Sequence, residues 1–410
     1  MKKKISILAL SSILIAGSAW ASGYRIPEQS VDSMGKAGAN IASATHADTS
    51  YFNPANMAWT KTDAWQFEGA LNYIHLPSVT YEDNRTPFYN GSSESEHFLI
   101  PTFFLVSPDM NNFRFGIAAV APYGLSKRWT QPFPRSYAQE YTLNVVELNP
   151  TVSYQINDMF SLAGGVRMVY SWAEVSSYAV KSDGLMATRN MDGDAYEWGY
   201  NLAASVRPTE DMNLSVTYRS KVDMDLEGDV TMATNYPGPF FMDTGGAVSI
   251  PAPAVLSVSL AYTFGPATVD LTWDRTYWSE YETIAFEYDM PIMHPVLNAA
   301  FSPAIAKNWD DSSAYRIGLD YVLNAEMTLM AGFAFDESPV PDSTLGFELP
   351  DSDAYLYSLG LRYAVNEKMD IGVAYLYDYK KERTVQNPII NGTFTDSAAH
   401  LLSVGLSYDF

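Results

Sequence analysis

The last strand-length stretch of the chain alternates without a break. Leu402, Val404, Leu406, Tyr408 and Phe410 occupy one face, and Ser403, Gly405, Ser407 and Asp409 the other. A period of two residues belongs to a β-strand whose faces meet unlike environments. The beat recurs in Tyr355, Tyr357, Leu359, Leu361, Tyr363 and Val365, then in Met369, Ile371, Val373, Tyr375 and Tyr377, across the short turn Asn366-Glu367-Lys368. Similar tight turns stand at Asn157-Asp158, Pro208 to Asp211, Gly265-Pro266 and Asn324-Ala325-Glu326. The intervening connections are longer and polar, at 181–194, 235–246, 290–311 and 380–395. Fourteen strands are predicted: 63–75, 97–107, 112–122, 138–155, 159–178, 195–207, 212–229, 247–264, 267–288, 312–323, 326–337, 353–365, 368–382 and 398–410.

Short turns at one end and long loops at the other are the asymmetry of an outer-membrane barrel, with apolar side chains toward lipid and small or polar ones toward the lumen. Beyond the first twenty residues no long uncharged apolar run exists, so membrane-spanning helices are excluded. The expected fold class is therefore all-β: a transmembrane antiparallel β-barrel with both ends in the periplasm. The 28 Tyr, 20 Phe and 9 Trp suit aromatic belts at the two membrane faces. At the N-terminus, Lys2 to Lys4, the apolar run Ile5 to Gly17 and Ala19-Trp20-Ala21 form a secretory signal-peptide pattern, with the mature chain expected from Ser22. Of the 25 Lys and Arg, three lie in that leader, and the remaining 22 face 47 Asp and Glu, which speaks against nucleic acid as a partner. Cysteine is absent, so disulfides and thiolate metal sites do not arise.

Residues 22–61 lack strand periodicity and are rich in small side chains, among them Gly35, Ala37, Gly38, Ala39, Ala42, Ala44 and Ala47. They form either a periplasmic tail or a plug inside the tube, and the domain plan is leader 1–21, hatch 22–61 and barrel 62–410.

At this point the chain resembles the FadL family of long-chain fatty acid and hydrocarbon transporters. The resemblance rests on Ser22-Gly23-Tyr24-Arg25-Ile26-Pro27-Glu28-Gln29-Ser30, on Met34-Gly35-Lys36-Ala37, and on the hatch motif Asn53, Pro54 and Ala55. Late in the chain it rests on Ala314-Tyr315-Arg316-Ile317 and on Phe335-Asp336-Glu337-Ser338-Pro339-Val340-Pro341 with Pro350-Asp351. The resemblance implies a hatch folded inside a fourteen-stranded barrel and an exit through the wall at a kink in the third strand, here at Ala121 and at Pro122, Tyr123 and Gly124. Pro122 has no N–H for the ladder and Gly124 no side chain to pack, the marks of an interrupted strand. It further implies passive uptake of hydrophobic compounds, foremost long-chain fatty acids, with aromatic hydrocarbons by the same route as the alternative. Capture is expected near Trp129, Phe133, Leu185 and Met186. Lys307 matches a head-group lysine of the family, whereas the matching arginine position holds Ser177.

The implied setting is the outer membrane of a Gram-negative bacterium, as a monomer among outer-membrane lipid and lipopolysaccharide. Insertion by the barrel-assembly machinery is expected through the C-terminal strand ending in Phe410. No cofactor, metal site or catalytic residue is expected, because His46, His75, His97, His294 and His400 are scattered along the chain without ligand spacing. The remaining rival is a general porin with an open polar lumen.

Overall fold

The computed structural model describes residues 23–60, 62–180 and 184–410, so the expected signal peptide lies outside the described residues. Its main sheet is an antiparallel cylinder. The first strand, Gln66–Leu76, pairs with the second, Glu96–Val106, on one side and with the last, Ala398–Asp409, on the other, which closes the ring. Eighteen hydrogen-bonded segments make fourteen spans, because the third, seventh, eighth and ninth strands are each interrupted once. The third runs Phe113–Val120 and Gly124–Arg128, the seventh Met212–Arg219 and Val222–Thr234, and the eighth Phe240–Ala252 and Val255–Phe264.

The sheet is apolar outside and polar within, the reverse of a soluble core. Leu402, Val404 and Leu359 face outward and are exposed, while Ser403, Ser358 and Arg362 on the same strands are buried toward the lumen. In hydrocarbon this ordering stabilises the barrel, since each exposed apolar side chain meets lipid instead of water. The fifth and sixth strands, Phe160–Val180 and Met186–Thr209, are far longer than the roughly ten residues that cross a bilayer, and their paired ends project above it. This corrects the expected loop at 181–194. Asp192, Gly193 and Asp194 lie in the ladder opposite Glu174, Ala173 and Trp172, where charged side chains on the exposed face and the small Ala173 and Ala195 on the buried one replace the apolar alternation that lipid imposes. The expected loop at 380–395 likewise carries strands: Arg383–Gln386 and Asn391–Thr395 join Thr80–Asp83 and Gly91–Ser92 in a small sheet over the loop end.

The N-terminal residues fill the lumen. Helix Val31–Gly35 begins on a capping box at Ser30 and Ser33 and is buried throughout. Charged wall residues fasten it: Arg362 pairs with Asp32 of the plug and with Glu68 and Asp370 of the wall, and Lys36 reaches Asp320 at 3.0 Å. Arg316 donates to the Ala37 carbonyl at 2.9 Å while pairing with Asp274 and Asp336. These buried charges are tolerated because each is paired; removing one partner of such a pair costs about 3–5 kcal/mol. The plug also lies backbone to backbone on the wall at Gly332, where an added Cβ would come within 2.2 Å of the Lys36 carbonyl carbon.

Gly332→Val is therefore expected to push the plug off the eleventh strand, Met327–Asp336, without breaking the ladder. Planar-bilayer recording should show conductance several-fold above the parent protein, while heat-dependent gel mobility still reports a folded barrel.

Candidate functional site

Above the plug, the loop end encloses an apolar cavity of about 370 Å³. Strand residues Leu125, Leu143, Val175, Val248, Ile250 and Phe286 supply its walls, and Ile284, Phe347 and Ile389 come from the loops. Its floor is aromatic. The Tyr24 ring lies edge-on to Trp278 with centroids 4.7 Å apart, and its hydroxyl donates to the Pro251 carbonyl at 2.5 Å. Tyr123 reaches across from the broken third strand to the Pro253 carbonyl at 3.2 Å, so a wall tyrosine and a plug tyrosine both end on the broken eighth strand.

The late motif from Phe335 to Pro341 works here as a brace. Asp336 pairs with Arg316, Glu337 accepts from the Ser313 N–H at 3.0 Å, and Ser338 donates to Asp351 at 2.7 Å. Asp351 also holds Lys380, and Arg383 donates to the Val340 and Asp351 carbonyls. The segment between the two halves of the brace is thus held over the barrel mouth, presenting Phe347 and Glu348 to the cavity. Phe347 packs under the small sheet against Tyr81 and Phe394, at 5.0 and 5.7 Å between centroids.

The expected capture residues separate into two groups. Trp129 is buried behind Phe347, donating its indole N–H to the Phe347 carbonyl at 2.8 Å, and Phe133 lies against the same ring while stacking on Tyr89. Leu185 and Met186 stand apart from the cavity at the tip of the long hairpin, where the Met186 N–H meets Asn235. Lys307 does line the cavity, but its ammonium is paired with Glu348 there. Burial opposes the ammonium charge and Glu348 more than offsets it, holding Lys307 above the ordinary lysine value. Ser177 is buried on the fifth strand directly across from Arg189. The Arg189 guanidinium lies 4.0 Å over Phe286 and 5.0 Å over Phe301 and donates to the Tyr288 hydroxyl, a cation beside the cavity that no linear motif points to.

The hatch motif is a clamp. Asn53 donates to the Ile41 carbonyl and to Ser205 and Ser215 of the wall, each at 3.0 Å, Pro54 opens the short helix Pro54–Trp59, and the Ala55 carbonyl accepts from Ser161 at 2.8 Å.

At the third-strand break the wall is incompletely laddered. The second and third strands pair only from Phe103 opposite Ala119 to Val106 opposite Gly116. Past Val120 the chain turns inward, and the start of the plug takes up the freed groups. The Ile26 N–H donates to the Pro122 carbonyl at 2.8 Å, the Gly124 N–H to the Tyr24 carbonyl at 2.9 Å, and Gln29 bonds both polar groups of the Ala121 backbone at 2.9 Å. Thr102 of the second strand donates to the Gln29 carbonyl at 2.7 Å.

The fold gathers some of the histidines. Three of the five, scattered in sequence, stand side by side: His75 is paired in register with His97 on one side and with His400 on the other. They are stacked rather than arranged as ligands, and among the described residues no His, Asp and Glu group has a metal-holding arrangement.

A plugged outer-membrane channel with a greasy chamber over the plug is the class this geometry defines. The chain belongs to the outer membrane protein transport protein family (OMPP1/FadL/TodX), whose model matches residues 12–410. It is a transport family and not an enzyme family, and its members are Gram-negative outer-membrane proteins. The chain is 24% identical to a long-chain fatty acid transport protein of Escherichia coli over 99% of its own length and 98% of the relative's. It is 23% identical to outer membrane protein P1 of Haemophilus influenzae over 99% of each chain. In fold it is similar to a Pseudomonas aeruginosa FadL homologue, with a TM-score of 0.82, 21% identity and coverage of 95% and 100% of the two chains. The toluene transporter TodX of Pseudomonas putida gives 0.71, 18%, 93% and 98%.

Phe347→Ala should loosen the roof, because the ring joins Trp129 to the small sheet. Hydrogen exchange of residues 383–395 is expected to quicken by about tenfold or more, given the cost of truncating a buried Phe, with exchange of the barrel strands unchanged.

Proposed function

We propose that this protein is a passive uptake channel for hydrophobic compounds, most fittingly long-chain fatty acids, which enter at the loops, rest in the cavity above the plug and leave sideways through the wall beside Gly124. The observation that carries the reading is the coincidence of the unladdered stretch of wall with the plug segment Tyr24 to Gln29, which meets the cavity at Tyr24 and the break at Pro122 to Gly124. Moving a methylene from water to an apolar site gains ~0.8 kcal/mol, so a sixteen-carbon chain has on the order of ten kcal/mol at stake. A water-filled pore does not supply that, whereas a chain of apolar sites ending in lipid does. The five hydrogen bonds that fasten the plug at the break contribute roughly 1 kcal/mol each. Burial of the ligand is large enough to offset their loss, so ligand in the cavity favours release of the segment and opening of the side path.

For a fatty acid, the carboxylate takes the place of Glu348 on Lys307. The Lys307–Glu348 pair also favours a second reading, uptake of neutral aromatic hydrocarbons, because a cavity whose cation is already neutralised suits an uncharged ligand. A toluene transporter among the structural neighbours is consistent with that reading. The barrel-assembly machinery as inserting partner through the strand ending in Phe410, lipopolysaccharide as surrounding lipid and a monomeric state complete the proposal.

Three substitutions test it. Gly124→Val places a branched side chain at the break and is expected to abolish uptake in a folded barrel; undiminished uptake would refute the lateral route. Lys307→Ala should weaken fatty-acid binding by about tenfold, the scale of one charge-assisted hydrogen bond, and leave toluene binding unchanged. Glu348→Gln should strengthen fatty-acid binding. Equal responses of acid and hydrocarbon in both variants would remove the head-group role.

A further inference from the structure

On the outer surface, four rings cross four neighbouring strands in a single row. Tyr377 lies against His400 with centroids 5.1 Å apart, His400 faces His75 at 5.8 Å, and His75 stacks on His97 at 4.4 Å and 13°. The row is fixed by register, since Tyr377 pairs with His400, His400 with His75 and His75 with His97. All four side chains share the outward face with the exposed Leu71, Leu99, Leu402 and Val373. Each histidine lies within three residues of its strand's loop end, so the row marks the extracellular edge of the lipid-facing band.

One step toward the membrane centre a second row supports the first. The Tyr73 hydroxyl meets His97 Nδ1 at 2.6 Å and the Tyr375 hydroxyl meets His400 Nδ1 at 2.8 Å. With those hydroxyls donating to Nδ1, the ring protons reside on Nε2, which lies on the far side of each imidazole. The row then presents preorganised N–H donors at His97 and His400, with His75 stacked between them, above an apolar surface.

We propose that this row is a binding site for the phosphate group of a lipid in the extracellular leaflet. A lipid places an anionic head at the interface and its acyl chains alongside Leu71, Leu99 and Leu402, and the site offers matching donors and apolar surface at those two depths. An anionic acceptor makes each such hydrogen bond stronger than a neutral one. The row ends at His97 on the second strand, whose far edge is unladdered at that level, so the lipid held there borders the break. The inference is independent of what the cavity carries.

The test uses the full-length protein in nanodiscs of an uncharged galactolipid doped with phosphatidic acid of the same acyl chains, with retained lipid counted by native mass spectrometry. The parent protein is expected to retain phosphatidic acid over galactolipid by about fivefold or more, as for hydrogen bonds to a charged group. The variant H75F/H97F/H400F keeps the rings and loses the donors, and its preference is expected to fall to near one. Y73F/Y375F leaves the histidines in place and should reduce the preference in part. No preference in the parent protein, or an unchanged preference in the triple variant, overturns the proposal. Should the triple variant not fold, as judged by heat-dependent gel mobility, H97F alone at the exposed end of the row is expected to lower the preference, and an unchanged value overturns it equally.

Discussion

In hydrocarbon no water is at hand to satisfy a peptide group, so each backbone N–H and C=O of a spanning segment needs a protein partner. A closed cylinder meets that demand around the ring, and the first strand of this protein closes it by pairing on both edges. At the third strand the cylinder departs from closure, and there the plug steps in as a surrogate strand: Tyr24, Ile26 and Gln29 supply the missing partners of Ala121, Pro122 and Gly124. Fastening of the plug and completion of the wall's backbone pairing are therefore one set of hydrogen bonds, on which the proposed side exit depends.

The other charged contacts place that segment without sealing anything. Arg362, Arg316 and Lys36 hold the helix Val31–Gly35 and the turn after it against the opposite wall. Buried ion pairs are costly to break, and the segment beside the break carries two as well, Arg25 with Asp274 at 3.3 Å and Glu28 with Arg316 at 3.7 Å. Its backbone bonds at the break contribute about 1 kcal/mol each. The helix lies toward the periplasmic turns, and Tyr24 of the extended segment forms part of the cavity floor.

Much of the barrel was legible in the sequence because lipid outside and polar packing inside impose a period of two on every strand. Where that contrast ends, so did legibility. The hairpin around Asp192 to Asp194 stands beyond the lipid with its charged side chains outward and read as a loop, and Asn391–Thr395 pairs with Thr80–Asp83 from the other end of the chain. The interruption at Pro122 came from the resemblance, with proline's missing N–H in agreement. The cavity was not visible in the same way, since its lining comes from many separate segments. Lys307 was found by resemblance, while Glu348, which pairs with its ammonium, lies 41 residues away. Arg189 faces Ser177 only through strand register, and the histidine row joins the first strand to the last, which only closure of the ring brings together.

The central claim, that the plug's first residues seal the wall and must leave it for cargo to pass, is tested most directly by a reversible lock. Arg25 and Tyr123 face one another in an antiparallel bridge, and the chain has no cysteine of its own. In the double variant R25C/Y123C, uptake of a labelled long-chain fatty acid by whole cells should be absent under oxidising conditions and return on reduction, with each single variant indifferent to redox state. Uptake that proceeds unchanged with the disulfide formed would contradict the account.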